Sequence, residues 1–254
     1  TMNTITIDCH KIHEQTPVSS IEDFKKIWDH AVVFKDGVTN SSARSLNFKS
    51  AKELLPNFQI KLSNSLDNSD LNIQSTLHEY IDYCADSKPF EASYYYDSSG
   101  ETGRKLFSNE PIYLFGHNVW HDEILKKFIS CPEYLGDWFD KYFNKYRDLI
   151  VYGSGHTWLF VGPKNTKSEM HTDHHCVHTT IQQLDGIKRF FCIDKEHMQF
   201  IEDCTEESFL KSIEFHLNNE GKCLVSDLSG DKDLSIFNSI KVYWGDLHPG
   251  DLIY

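Results

Sequence analysis

Thr179-Thr180-Ile181-Gln182-Gln183-Leu184-Asp185-Gly186-Ile187-Lys188-Arg189-Phe190-Phe191-Cys192-Ile193 reads as two β-rich runs, 179–183 and 189–193, parted by an Asp-Gly turn. Three more runs of this texture, Trp158–Val161, 240–244 and 251–254, stand between Gly, Pro and Asp turns. Several short strands with irregular connections predict a mainly β fold, a jelly roll or similar barrel, over 151–254. Residues 1–150 read instead as an α/β extension with covering helices, packed on the barrel. Ser20 before Ile21-Glu22-Asp23-Phe24 predicts a capped helix, with apolar spacing through Trp28. Residues 31–34 predict a short strand ended by Asp36-Gly37, and 63–69 a polar loop. Residues 77–83 predict a helix, and Tyr94-Tyr95-Tyr96 a strand closed by Asp97-Ser98-Ser99-Gly100. Helical spacing returns over 122–146, interrupted near Pro132.

Composition narrows the function. Of 254 residues, 39% are apolar, with 17 Phe, 12 Tyr and 5 Trp, which is enough for a sizeable core and excludes wholesale disorder. Acidic residues outnumber basic ones 38 to 25, a net charge of −13. Such a surface repels phosphate backbones and anionic lipid, so neither nucleic acid nor membrane is an expected partner. A basic peptide or protein is. No apolar run reaches the roughly 20 residues that span a bilayer, and Thr1-Met2-Asn3-Thr4-Ile5-Thr6 has no signal-peptide character. Seven scattered Cys predict reduced thiols and an intracellular setting, cytoplasmic or nuclear.

The chemistry gathers in one place. Four of the 14 His fall in His171-Thr172-Asp173-His174-His175-Cys176-Val177-His178. On a strand, alternate residues share a face, so His171 and Asp173 would point together. One imidazole and one carboxylate on one face are two-thirds of the triad that holds Fe(II) with open positions. Surface or core histidines are the plain alternative reading. A zinc site from His174, Cys176 and His178 is a third, without the paired close spacings of structural zinc sites.

Trp158-Leu159-Phe160-Val161-Gly162-Pro163 followed by His171-Thr172-Asp173 resembles the Jumonji C (JmjC) family of Fe(II)- and 2-oxoglutarate-dependent oxygenases. So do Leu184-Asp185-Gly186-Ile187-Lys188-Arg189-Phe190 and His248-Pro249-Gly250-Asp251-Leu252-Ile253-Tyr254. Tyr94-Tyr95-Tyr96-Asp97-Ser98-Ser99-Gly100 with Arg104-Lys105-Leu106-Phe107 resembles the phosphatidylserine-receptor-like lysyl hydroxylase branch. The resemblance implies a double-stranded β-helix, the jelly roll shared with cupins. It implies His171 and Asp173 as metal ligands and Lys188 as the partner of the distal carboxylate of 2-oxoglutarate. Ser168 and Tyr94 would add hydroxyl donors to that carboxylate. It places the third ligand, a His, beyond Tyr254, so the barrel is expected to be incomplete at its C-terminal end as given. Where the family has a polar side chain on the strand after the ligand pair, Thr179 or Gln182 would have to serve. The implied activity is hydroxylation or demethylation of a protein or peptide side chain, with 2-oxoglutarate decarboxylated to succinate. A non-catalytic cupin-like binding module and a small-molecule metalloenzyme are the alternatives. The open sheet edge makes a homodimer a further expectation.

Overall fold

The computed structural model describes residues 2–64, 70–118, 123–128, 130–136, 158–171, 178–197 and 209–254. By contacts the chain falls into two compact units, residues 1–38 with 169–254, and residues 39–168. The division expected at 150/151 is sequential, whereas here the opening residues group with the C-terminal ones. The architecture is mainly β, as the short runs predicted.

The opening segment supplies strands β1 (Asn3–Ile7), β2 (Cys9–Lys11), β3 (His13–Gln15) and β4 (Val32–Phe34). Between β3 and β4 lies helix α1 (Ile21–Phe24), where the Ser20 hydroxyl accepts the Asp23 N–H at 3.2 Å, as the capping pattern predicted. The helix is shorter than the apolar spacing suggested and continues to Trp28 as turns.

Residues 39–168 carry α2 (Ser41–Ser45), α3 (Ala51–Leu54), α4 (Leu77–Asp86) and α5 (Glu123–Lys126). They also carry β5 (Gln59–Asn64), β6 (Leu71–Thr76), β7 (Phe90–Tyr96), β8 (Thr102–Phe107), β9 (Ile112–Asn118) and β10 (Trp158–Val161). The strands make one antiparallel sheet of order β10-β9-β5-β6-β7-β8. Thr76 caps α4 reciprocally with Glu79, and the helix buries Leu77, Tyr80, Ile81 and Tyr83. The Tyr80 hydroxyl lies 2.8 Å from the carbonyl oxygens of Ile112 and Val161 and accepts the Leu114 N–H at 3.1 Å, tying the helix to β9 and β10. The helix expected over 122–146 is described only as α5 and the turns beside it, and residues 137–146 lie outside the described residues.

The remaining strands are β11 (Ile181–Gln182), β12 (Lys188–Ile193), β13 (Ile213–Leu217), β14 (Cys223–Asp227), β15 (Val242–Leu247) and β16 (Leu252–Ile253). With the opening strands they form three sheets, ordered β1-β14-β13, β12-β15-β2 and β11-β16-β4-β3. The antiparallel pairs β11–β16 and β12–β15 are two lengths of one ribbon that passes from sheet to sheet. Both of its strands turn the corner together: the Gln183 N–H donates to the Asp251 carbonyl at 2.9 Å, and the Gly250 N–H to the Gln183 carbonyl at 2.8 Å. Gly250 has φ of +94°, a conformation that favours glycine.

The strand period of two then sorts the side chains. Phe190, Cys192, Tyr243 and Leu247 pack with Ile181, Ile253, Val33 and Ile12 between two of the sheets. Gly245 lets Ile12 approach closely, since a Cβ there would lie 3.2 Å from its side chain. On the other face Phe191, Ile193 and Val242 join Ile7, Ile213, Val225, Leu234 and Phe237 against the third sheet. Each fully buried side chain of this size contributes about 1.5–3 kcal/mol.

Candidate functional site

Lys188 opens β12 opposite Leu247, which has no exposed surface. It stands in phase with Phe190 and Cys192, so its stem leaves the strand on the face that looks toward Ile181 and Ile253. The side chain is half-buried, with Nζ 5.4 Å from the Phe190 ring centroid. An ammonium set against apolar side chains is favoured by an anionic partner. Next to it, Arg189 points the opposite way and pairs with Asp246 through two bonds of 2.7 and 2.8 Å, while its guanidinium covers Trp244. Asp246 holds Arg189 above its ordinary pKa, and Arg189 in turn holds Asp246 below the usual carboxylate value. That pair is closed on itself and lies on the face of β12 opposite Lys188.

His171 is exposed, with Nδ1 2.7 Å from the Glu169 carbonyl oxygen. A carbonyl only accepts, so Nδ1 carries the proton and Nε2 is the acceptor nitrogen of the neutral ring. Metal-binding histidines are commonly oriented in this way, by a carbonyl behind the ring. Asp173, with His174, His175 and Cys176, lies outside the described residues. Among the described residues, no three His, Cys, Asp or Glu side chains gather as a metal ion would need. The two described candidates are of donor types that fit the expected groups: an imidazole whose Nε2 is the accepting nitrogen, for a divalent ion, and a half-buried ammonium, for a carboxylate.

The other candidates are placed as follows. Ser168 is exposed and belongs to residues 39–168, as does Tyr94 on β7. The Tyr94 hydroxyl donates to Glu101 at 3.2 Å, and that carboxylate raises its pKa. Its ring lies over Gly103, where a Cβ would come within 3.0 Å of the hydroxyl. Lys188 and His171 thus belong to one unit, and Ser168 and Tyr94 to the other. His178 is stacked between Trp28 and Tyr254, with ring centroids 5.6 and 5.4 Å apart, and its Nδ1 meets the Tyr254 hydroxyl. Burial pushes that hydroxyl up to about 12, with Asp29 adding to the effect. Thr179 is exposed, and Gln182, one residue on from Ile181, takes the opposite face of β11 from the inner cluster. The backbone N–H of His248 donates to the Asp251 carboxylate at 3.0 Å.

Two residues that the sequence reading did not single out organise this region. Asp251 is 3% exposed and accepts from the Lys35 ammonium, the Asp36 N–H and the His248 N–H. Its partner Lys35 comes from the end of β4, 216 positions away, a separation no local pattern reveals.

Neither the protein-family models nor the curated proteins include a match to this chain. No described helix is long and apolar enough to cross a membrane. Among the described residues, Cys9, Cys84, Cys131, Cys192 and Cys223 form no disulfide, and burial pushes the Cys84 and Cys223 thiols up to about 12.

Proposed function

We propose that the chain carries the double-stranded β-helix of an Fe(II)- and 2-oxoglutarate-dependent oxygenase, which hydroxylates or demethylates a side chain of a basic protein or peptide. The observation that carries this reading is the inward Lys188 at the start of a ribbon that winds across two sheets. A jelly roll is built from such ribbons, and its interior suits a buried dicarboxylate. Within residues 169–254, His171 would bind the ion through Nε2 and Asp173 through its carboxylate. Lys188 would take the distal carboxylate of the keto acid. Phe190, Leu247, Ile181 and Ile253 would keep water from that pair, strengthening it. When bound, the ion and keto acid would let dioxygen react: one oxygen atom would oxidise the keto acid to succinate and carbon dioxide, and the other would enter the target C–H bond.

Titration with 2-oxoglutarate and Mn(II) as the inert ion tests the assignment. Lys188→Ala is expected to weaken keto-acid binding tenfold or more, because loss of a charge-assisted pair costs about 1.5–3 kcal/mol. Binding unchanged within about twofold would sink it. Keto-acid binding without succinate release, with Fe(II) and oxygen supplied, would favour the binding module instead.

A further inference from the structure

The ribbon corner is held more heavily than a turn requires. The Asp251 carboxylate collects three donors, the Lys35 ammonium and the backbone N–H groups of Asp36 and His248, at a site with 3% exposure. The Asp251 carbonyl accepts the Gln183 N–H, and the Gln183 carbonyl accepts the Gly250 N–H. The Gln183 side chain then reaches forward, its Nε2 donating to the Asp185 carbonyl at 2.6 Å, while Asp185 Oδ1 accepts the Gly186 N–H at 2.7 Å. Two residues further on stands Lys188, in register with Leu247. A set of bonds therefore runs from Lys35 through Asp251 and Gln183 to Gly186, two residues before β12 begins.

We propose that Asp251 is a positioning residue for Lys188: with Lys35 it fixes the corner from which β12 starts, and so sets where the Lys188 ammonium lies. This rests on the proposed role of Lys188, but its geometry is measurable without any ligand. Side chains that only fill space do not distinguish one register of a corner from another, whereas a buried carboxylate bonded to two strands and a turn does. The cost of leaving it unpaired makes the arrangement all-or-none.

The experiment is reductive methylation of the whole chain with formaldehyde and cyanoborohydride as the hydride donor, followed by mass spectrometry. Labelling of Lys188 is read relative to Lys222, which sits at the exposed end of a distant hairpin. Asp251→Ala is expected to raise that ratio about fivefold or more, by freeing the start of β12 through local opening. Phe237→Ala destabilises the same unit from the other core and is expected to leave the ratio within about twofold, as is Lys35→Arg, which keeps the cation. An unchanged ratio in Asp251→Ala, or an equal rise in Phe237→Ala, overturns the proposal. Asp251→Ala is also expected to lose at least tenfold in 2-oxoglutarate binding measured with Mn(II). If the unaltered protein takes up no 2-oxoglutarate, the oxygenase reading falls, and the labelling ratio still decides the role of Asp251.

Discussion

Asp227 shows what a buried carboxylate does in this molecule when it has no candidate role in chemistry. It has no exposed surface, and burial alone would raise its pKa. Hydrogen bonds outweigh burial: the hydroxyls of Ser212 and Ser229 donate at 2.6 Å, and the N–H groups of Lys232 and Ser229 at 2.9 and 3.0 Å. The folded value therefore lies below the unfolded one. Its contribution to stability is full above the ordinary carboxylate pKa of about 4 and is lost as pH falls through the lower folded value. Asp227→Ala is expected to cost about 1–3 kcal/mol at neutral pH by stranding those donors, and to flatten the acid limb of a urea-unfolding series. A variant as stable as the parent at pH 7 would show that the donors find water instead. Asp251 works in the same direction: burial opposes its charge, and Lys35, His248 and Asp36 more than restore it. At this scale the sequence showed candidate chemistry better than it showed support. Lys188 stood out in Gly186-Ile187-Lys188-Arg189-Phe190, whereas the pairing of Asp251 with Lys35 depends on how distant strands meet.

Elements were legible where their signal is local. The strand at Trp158–Val161 and the helix begun at Ile21 follow from alternation and from a cap. The run at 240–244 shifts to Val242–Leu247 because Ile240 closes a turn of 3₁₀ helix over Leu234–Ser239 and is buried there. Strands β2 and β3 escaped the sequence reading for a physical reason: each has three mostly polar residues, and each pairs in parallel with a strand distant in sequence or separated by a helix. The β13–β14 hairpin was missed although its signal is present. Ile213, Phe215 and Leu217 alternate, and the turn that follows is Asn218-Asn219-Glu220-Gly221. In the structure Asn218 Oδ1 accepts the N–H groups of Glu220 and Lys222, both at 2.9 Å, and Gly221 takes φ of +75°. Open space surrounds a Cβ built at Gly221, so Gly221→Ala tests the backbone alone. It is expected to cost about 1 kcal/mol, the left-handed penalty of an L-residue, read as a lower denaturation midpoint with unchanged slope. No loss would mean the turn relaxes into another type.

On the scale of the whole molecule, the two units have separate cores. One is built around Phe237, 1% exposed and edge-on to Phe215 with ring centroids 5.6 Å apart. The other is built around Tyr80, which has no exposed surface and whose hydroxyl accepts the Leu114 N–H. The sequence did not show this division, because the first 38 residues join a core whose other members begin at 169, and hydrophobic pattern carries no record of which distant run completes a cluster. Removing most of a buried Phe costs about 3–5 kcal/mol, and stranding one buried N–H about 1–3 kcal/mol. If each unit is a cooperative body, these costs stay where they are made. Phe237→Ala is then expected to speed amide exchange in β1, β13 and β14, whose side chains it packs with, while leaving β5, β6 and β9 as protected as before. Tyr80→Phe is expected to do the reverse, with β9 most affected. Hydrogen exchange by mass spectrometry distinguishes the outcomes, since each strand falls in its own peptides. Equal acceleration of both sets by either substitution would show that the chain unfolds as one body, and that the pairing of β1 with β14 is coupled to the sheet that holds Tyr94.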